Sequence, residues 1–417
     1  MFVRKAIAIL MIIAGVSSAS AQNSLRVRYV GMIEFGNQAF VHSVAVLDTL
    51  LYLADYNSGF RVVNIIAPAT PRLLELDPPA DHPIKIVTSG SYVYVPDYLG
   101  LWIGDVTDRA NPVRAGYYNS PGHAVDVFVL EDFAYVADND YGLRIVDVTT
   151  PAAPQEVGVL DSAHELEAVA VWGSYAYLAE NAGLRVVDVS EPGNPVSEGF
   201  IELPEKAWDV AVDGNFAYVA VGLSGVRIVD VSNPESPTEV AIYDTPGRAY
   251  GITLVDTLAF VADYDKGFLI LSVTDPTHPH LRGFCDTPGK AYEVTLVNGY
   301  AFVADYSNLG VYDCIEAVGV TKDDPDPLPA TFSLSPAFPN PFNSRTTFNF
   351  TLPRPGMVKF GLFDPMGRQV RRLQSSGWYF AGSHRVVVDG EGLAAGGYVV
   401  QMQAGGNVIR QGVVLLK

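Results

Sequence analysis

Tyr135-Val136-Ala137-Asp138 is one of seven near-copies of a tetrapeptide, and the spacing of those copies decides the fold. The others run Tyr52 to Asp55, Tyr94 to Asp97, Tyr177 to Glu180, Tyr218 to Val221, Phe260 to Asp263 and Phe302 to Asp305. Their last residues stand 42, 41, 42, 41, 42 and 42 positions apart. A period of about 40–45 residues made of short strands is the mark of propeller blades. Each copy sits in a unit of four expected strands. An alternating segment such as Asp209 to Val212 (strand a) precedes the tetrapeptide (strand b), and a run such as Gly142 to Val148 follows it (strand c). A Pro-x-x-Pro turn, as at Pro151/Pro154, Pro192/Pro195, Pro234/Pro237 and Pro276/Pro279, leads to a segment centred on a small residue such as Gly158 or Gly283 (strand d). Val-, Ile- and Tyr-rich runs bounded by Gly, Pro, Asn and Asp read as strands with turns.

Gly59, Gly100, Gly142, Gly183, Gly225 and Gly267 recur before strand c, with Asn308 in the seventh copy. Gly and Asn tolerate positive φ, so one tight b–c hairpin is expected throughout. Seven a–b–c sets come with only six clear d strands. Arg28 to Ile33, ahead of the first unit, is expected to supply the seventh and close the ring, which removes two exposed edges. Glu316 to Val320 is the alternative.

These residues resemble the LVIVD-repeat family of extracytoplasmic propellers. The family's strand c appears here as Leu143 to Asp147, Leu184 to Asp188 and Val226 to Asp230. The resemblance implies a fold and is nearly silent on function. The fold class is therefore all-β, a seven-bladed β-propeller over residues 22–318, followed by a small immunoglobulin-like β-sandwich over 331–417.

Arg4 and Lys5 precede an apolar run from Ala6 to Val16 and an Ala19-Ser20-Ala21 cleavage signal. Too short to span a bilayer, which needs about 20 residues, this reads as a secretory signal peptide over residues 1–21. No other segment is expected to span a membrane. Residues 319–330 form an acidic, proline-rich linker. Beyond it nine Lys/Arg face three Asp/Glu, a net of +6, so with −19 for the whole chain the first 330 residues carry −25. No nucleic-acid partner is expected of so acidic a domain. The last segment carries Pro339-Asn-Pro-Phe-Asn343, Leu362-Phe-Asp-Pro-Met-Gly-Arg368, Gly382-Ser-His384 and Leu393-Ala-Ala-Gly-Gly-Tyr398. That series is similar to the type A C-terminal sorting domain of the type IX secretion system, with the FlgD-type immunoglobulin-like module as a related alternative. The resemblance implies export, with residues 331–417 engaging the type IX machinery.

The common short catalytic and metal signatures are absent, and no cofactor is expected. Cys285 and Cys314 are expected to be buried and unpaired. Histidines His42, His82, His123 and His164 fall in four successive units, which spreads them too far for a shared metal. Asp138-Asn-Asp140 and Asp263-Tyr-Asp265 lack the further ligands of a calcium loop.

The repeat does bring one polar set to a single face. Three residues before strand a stand Phe40, His82, His123, Glu165, Lys206, Arg248 and Lys290, while Asp126, Asp209 and Glu293 begin the strand. Either the basic residues pair with neighbouring carboxylates and tie loops together, or they form a mouth for an anionic ligand. Tyr56, Tyr98, Tyr264 and Tyr306 follow the strand b carboxylates of units that become adjacent on closure, and Trp208, Tyr250 and Tyr292 join the same face. They are hairpin packing or a platform for a glycan or a surface protein, with Lys206, Arg248 and Lys290 expected across the ring from the Tyr arc. The functional expectation is a secreted, surface-associated, non-catalytic binding or adhesion module. Its alternatives are a propeller-based polysaccharide lyase or hydrolase and a structural surface-layer component.

Overall fold

The computed structural model describes residues 24–318 and 331–416, apart from 37, 75–81, 162–163, 338–339, 344, 353–355, 374–376, 380–381, 391 and 405–406. The expected signal peptide and linker lie outside the described residues. Seven antiparallel units follow one another from residue 41 to residue 313, six with four strands of their own and the seventh with three. The fourth is representative: Leu166–Trp172, Tyr175–Glu180, Gly183–Asp188 and Val196–Glu202 pair in sequence as strands a to d. Units 2 and 3 share one continuous strand, Val113–Leu130, which serves as d of the former and a of the latter.

The seventh unit takes its outer strand from the opposite end of the domain. Arg28–Glu34 pairs antiparallel with Asn308–Asp313, from Arg28 opposite Asp313 to Glu34 opposite Asn308, and an Arg28–Asp313 ion pair at 2.7 Å ends the ladder. Of the alternative at Glu316 to Val320, the described part belongs to a single helical turn, Ile315–Val318, and residues 319–320 lie outside the described residues.

Apolar cores lie between units, not within them. Strand b of unit 4 sends Ala176 and Leu178 into a core shared with unit 3, and Tyr177 and Ala179 into one shared with unit 5. Successive residues of a strand face opposite sides, so a strand covered on both sides reads as continuously apolar. That is why the tetrapeptide does not alternate. The same holds between units 7 and 1, where Val297, Phe302 and Val311 pack with Val41, Leu53 and Val63. Strand a of unit 7 likewise lies against strand a of unit 1.

The small residue of strand d has a steric cause. A Cβ at Gly116, Gly158 or Gly199 would stand 1.9, 1.9 or 2.2 Å from the carbonyl oxygen of Pro151, Pro192 or Pro234. Each proline opens the Pro-x-x-Pro turn of the next unit. At Gly283 the role of that turn falls to Leu25, whose carbonyl is 2.7 Å from the Cβ position, and Ser24–Leu25 adds a fifth strand to unit 6.

Residues beyond 331 form two antiparallel sheets over one core. Arg345–Leu352 pairs with Ser333–Leu334 and Gly382–Asp389; Gly356–Phe363, Gly396–Ala404 and Asn407–Leu415 build the other. Phe348, Phe350, Leu362, Val386 and Met402 meet between them. In the turn after Phe363, Asp364 accepts the amides of Met366 and Arg368, both at 2.9 Å, which explains the Asp-Pro-Met-Gly-Arg string.

Gly158→Ala should destabilise the repeat domain by about 1–3 kcal/mol through overpacking against backbone. Gly193→Ala, whose Cβ would meet only Val157 oxygen at 3.6 Å, should be near neutral. Urea unfolding of the two variants checks the contrast. Deleting residues 24–34 should lower the melting temperature of the whole repeat domain in one cooperative step, because unit 7 loses its outer strand. An unchanged thermal melt would show that the strand is dispensable.

Candidate functional site

The b–c turn of one unit reaches the start of strand a in the next. Tyr306 bridges to Val41, Tyr264 to Ala291 and Gly222 to Ala249. The expected single b–c hairpin is not uniform. Gly59, Gly142, Gly225 and Gly267 carry φ between 72 and 85°, but in units 2 and 7 the left-handed residue is Tyr98 (φ 73°) or Tyr306 (φ 59°), and Tyr264 (φ 49°) is left-handed in unit 6. A bulky residue there costs about 1–2 kcal/mol over glycine.

The strand b carboxylates do not line a site. Asp55, Asp138, Asp263 and Asp305 are fully buried and accept the backbone amides of Phe40, Gly122, Gly247 and Gly289 at 2.8–2.9 Å. They tie each d–a connection to its own blade-like unit. Asp55 and Glu180 also hold Arg61 and Arg185 of strand c. Of the Asp-x-Asp pairs, Asp140 is engaged by His123 at 2.6 Å and Asp265 by Lys266 at 3.8 Å.

Aromatic side chains form one chain of ring contacts across units 5, 6, 7, 1 and 2. Trp208 meets Tyr250 (4.6 Å), Tyr250 meets Tyr264 (4.8 Å) and Tyr292 (5.7 Å), and Tyr292 meets Phe40 (5.4 Å) and His42 (4.7 Å). Phe40 then touches Tyr306 (4.6 Å) and Tyr56 (6.1 Å), and Tyr56 touches His82 (4.9 Å). Tyr98 departs from the expected arc and stacks on His123 at 4.0 Å.

The cations also depart from expectation, for they sit on the arc and not across from it. Lys206 Nζ lies 4.5 Å from the Trp208 ring and also pairs with Glu167 at 2.7 Å and Glu165 at 3.5 Å. Lys290 Nζ lies 4.9 Å from the Tyr264 ring and 5.6 Å from Tyr306. Ring faces attract cations, which draws both lysines inward along the loop. Arg248 is exposed on the same rim.

Beneath the arc opens a cavity of about 180 Å³ to which every unit contributes. Two consecutive positions line it in six units and one, His42, in unit 1; they stand twelve and thirteen residues before the last residue of each tetrapeptide. The first set includes Lys85, Asp126, Asp209 and Glu293; the second includes His42, Glu167, Trp208, Tyr250 and Tyr292. Lys85 Nζ pairs with Glu293 Oε1 at 2.8 Å. Each acid also accepts an amide from the following unit: Asp126 from Val169, Asp209 from Ile252 and Glu293 from Val44, at 2.9–3.0 Å. Sequence reasoning had the three acids but missed Lys85 and Glu167. Aligning all seven units on the last tetrapeptide residue exposes both.

Burial pushes the Asp126 carboxyl up to about 7, with Asp209 adding to the rise and Lys85 opposing it. Burial likewise raises Asp209, and lifts Asp263 and Asp305 to about 6. It holds His42 down at about 4, so that ring is neutral. Cys285 and Cys314 are free and buried, their thiols pushed up to about 12 by burial. Among the described residues no group of three or more His, Cys, Asp or Glu is placed to hold a metal ion.

A family model described as the LVIVD repeat matches residues 40–76, 84–120, 121–162, 166–200, 204–245, 246–287 and 288–313. A second, described as a secretion system C-terminal sorting domain, matches residues 336–415. No curated protein matches the chain. Among solved structures, the crystal structure of the computationally designed Ika8 protein is similar at 9% identity and a TM-score of 0.52, covering 69% of this chain and 99% of that one. At that identity the likeness concerns the fold alone.

Carboxyls raised above their unfolded value near 4 bind protons in the folded state that the unfolded chain releases, so their contribution favours folding at low pH and is lost as pH rises through the folded value. Asp263 and Asp305 place that loss around pH 6 and Asp126 around pH 7. The melting temperature of the repeat domain should therefore fall from pH 5 to pH 8, and Asp126→Asn should flatten the upper part of the decline. Thermal unfolding across that range checks it, and a rise with pH would contradict it.

Proposed function

Since the chain belongs to the LVIVD-repeat family and carries a type IX C-terminal sorting domain, which implies secretion to the cell surface or medium, we propose that its repeat region is a closed seven-bladed propeller acting outside the cell as a non-catalytic binding or adhesion module. Cores between every consecutive pair of units, including 7 and 1, support closure. The described residues include no helix long and apolar enough to cross a membrane. Export would run through residues 331–417 as the portion read by the type IX machinery.

The observation that carries the binding reading is the aromatic arc over the cavity. Tyr306 is 39% exposed and keeps a left-handed backbone that glycine would adopt at lower cost. An exposed aromatic held at a backbone cost contributes more to a partner than to the core, and residues of this type dominate interface energetics. A glycan or a protein of another cell-surface component fits such a surface. The carboxylates of the cavity favour a second reading, a hydrolase or lyase, because Asp126 is poised near neutrality. Against it, Asp126, Asp209 and Glu293 each spend an oxygen on a neighbouring unit's amide, the work of structural ties.

Tyr306→Gly with Tyr56→Ala should leave stability within about 1 kcal/mol, because relief of backbone strain offsets lost ring contacts. The same variant should lose at least tenfold in affinity on a printed array of purified polysaccharides. Undiminished array binding, or a variant that melts far earlier, would remove the arc as the binding surface. Deleting residues 331–417 should leave the repeat domain folded and strand it in the periplasm. Normal levels of the truncated protein outside the cell would overturn the export assignment.

A further inference from the structure

The charges on the cavity floor do not balance. Asp126, Asp209 and Glu293 share a single lysine, Lys85, which lies against Glu293. Glu167 adds little, since Lys206 already holds it at 2.7 Å. The acids also differ in how far they are satisfied. Asp209 uses one oxygen on the Val210 amide and the other on Ile252. Glu293 gives one oxygen to Val44 and the other to Lys85. Asp126 gives Oδ2 to Val169 and also feels the nearby Val127 amide, while its Oδ1 is buried and meets no donor in good hydrogen-bond geometry, in a residue 5% exposed. A buried carboxylate oxygen lacking a donor is an acceptor waiting for one.

The walls narrow what that donor can be. Trp208, Tyr250 and Tyr292 line the same space, and ring faces favour cations. A volume of about 180 Å³ is below the roughly 300–1,000 Å³ of pockets that take drug-sized ligands, so it admits a head group whose remainder lies on the arc outside. An anion meets the surplus of acids. A quaternary ammonium has no N–H for Asp126. Lys85 already exemplifies the chemistry the floor accepts, an ammonium bonded to a carboxylate among the same residues.

Resting on the reading of this face as a binding surface, we propose that the cavity receives a primary ammonium group, carried by an amino sugar or a lysine side chain, with Asp126 Oδ1 as its acceptor and Trp208, Tyr250 and Tyr292 as its walls. The groups facing Asp126 are Lys85, Asp209 and Glu293 on the floor and Glu167 and His42 on the wall, with Lys206 behind Glu167. His42 is neutral and Lys85 stays charged throughout the neutral range, so the pH response comes from the floor carboxyls, chiefly Asp126, with Asp209 also raised by burial. Occupancy strengthens as these carboxyls lose their protons.

Calorimetric titration of the full secreted chain tests this with N-α-acetyl-lysine methylamide, its N-ε-acetyl and N-ε-trimethyl forms, and glucosamine oligomers against N-acetylglucosamine oligomers. The expected result is binding of the lysine amide at pH 8, or of the glucosamine oligomer at pH 7, where a share of its amines still carries a proton, at least tenfold weaker for the acetylated and trimethylated partners. Which of the two amines binds tighter identifies the source. For the lysine probe, affinity should fall about tenfold from pH 8 to pH 6, since a carboxyl near 7 goes from mostly ionised to mostly protonated. Asp126→Asn, which keeps an oxygen for the Val169 amide, should weaken binding at least tenfold and flatten the pH response. Equal binding of charged and acetylated probes, no binding of either amine, or an unaffected Asp126→Asn protein would overturn the proposal. The probe comparison needs no variant, so it stands even if Asp126→Asn fails to fold. Array binding that persists in a chain binding no amine would sink this inference and leave the arc intact. Amine binding in a chain whose array binding ignores the Tyr56 and Tyr306 changes would do the reverse.

Discussion

Everything in the repeat domain depends on apolar cores that belong to two units at once. Strand b illustrates the constraint: its alternate side chains enter the cores on either side, so neither unit can bury its own tetrapeptide alone. Burying one large apolar side chain is worth about 1.5–3 kcal/mol, and the core between units 7 and 1 alone holds Val41, Leu51, Leu53, Phe302, Leu309 and Val311. Opening any single interface would expose a set of this size, against a net domain stability of only about 5–15 kcal/mol. The repeating sequence, the outer strand borrowed from Arg28–Glu34 and the glycines beneath each proline turn all serve that one requirement.

The polar residues are arranged around the same requirement. Carboxylates at the ends of strand b hold the loop amides of their own units, and those at the start of strand a hold amides of the next. The repeat therefore ties its units together by backbone hydrogen bonds to acids on the very face where a ligand would enter. What remains for recognition is the aromatic arc and, among the acids of the cavity floor, the one oxygen the ties do not use. A charge count of the face would miss this, since most of its carboxylates are already engaged.

The architecture was legible because it is periodic. The 41–42-residue spacing, the proline turns and the small residue of strand d are each repeated, and the outer strand at Arg28 to Ile33 followed from counting strands. The site was legible only in part. Tyr56, Tyr264, Tyr306, Trp208, Tyr250 and Tyr292 do converge, but Tyr98 turns to His123, and Lys206 and Lys290 fold onto rings instead of facing them. Strand parity places a Cβ on a face; it does not say whether a four-carbon side chain then reaches outward or lies down on its neighbour. Lys85 and Glu167 stayed hidden for a different reason, because their residue types do not recur: the Lys85 position holds Ser, Asp, Ala, Gly or Glu in other units, and the Glu167 position His, Ile, Val, Trp or Tyr.

Interdependence of the units makes a claim that hydrogen exchange reads directly. In a closed ring every strand b is flanked on both sides, so its amides open only when the whole domain does. An open array has two end units, each with one bare face, that fray ahead of the rest. Amide exchange in the seven strand b segments of the secreted chain, under native conditions, should therefore give one common opening free energy for all seven. Faster exchange at Leu50–Asp55 and Tyr300–Asp305, graded toward the middle units, would contradict the account.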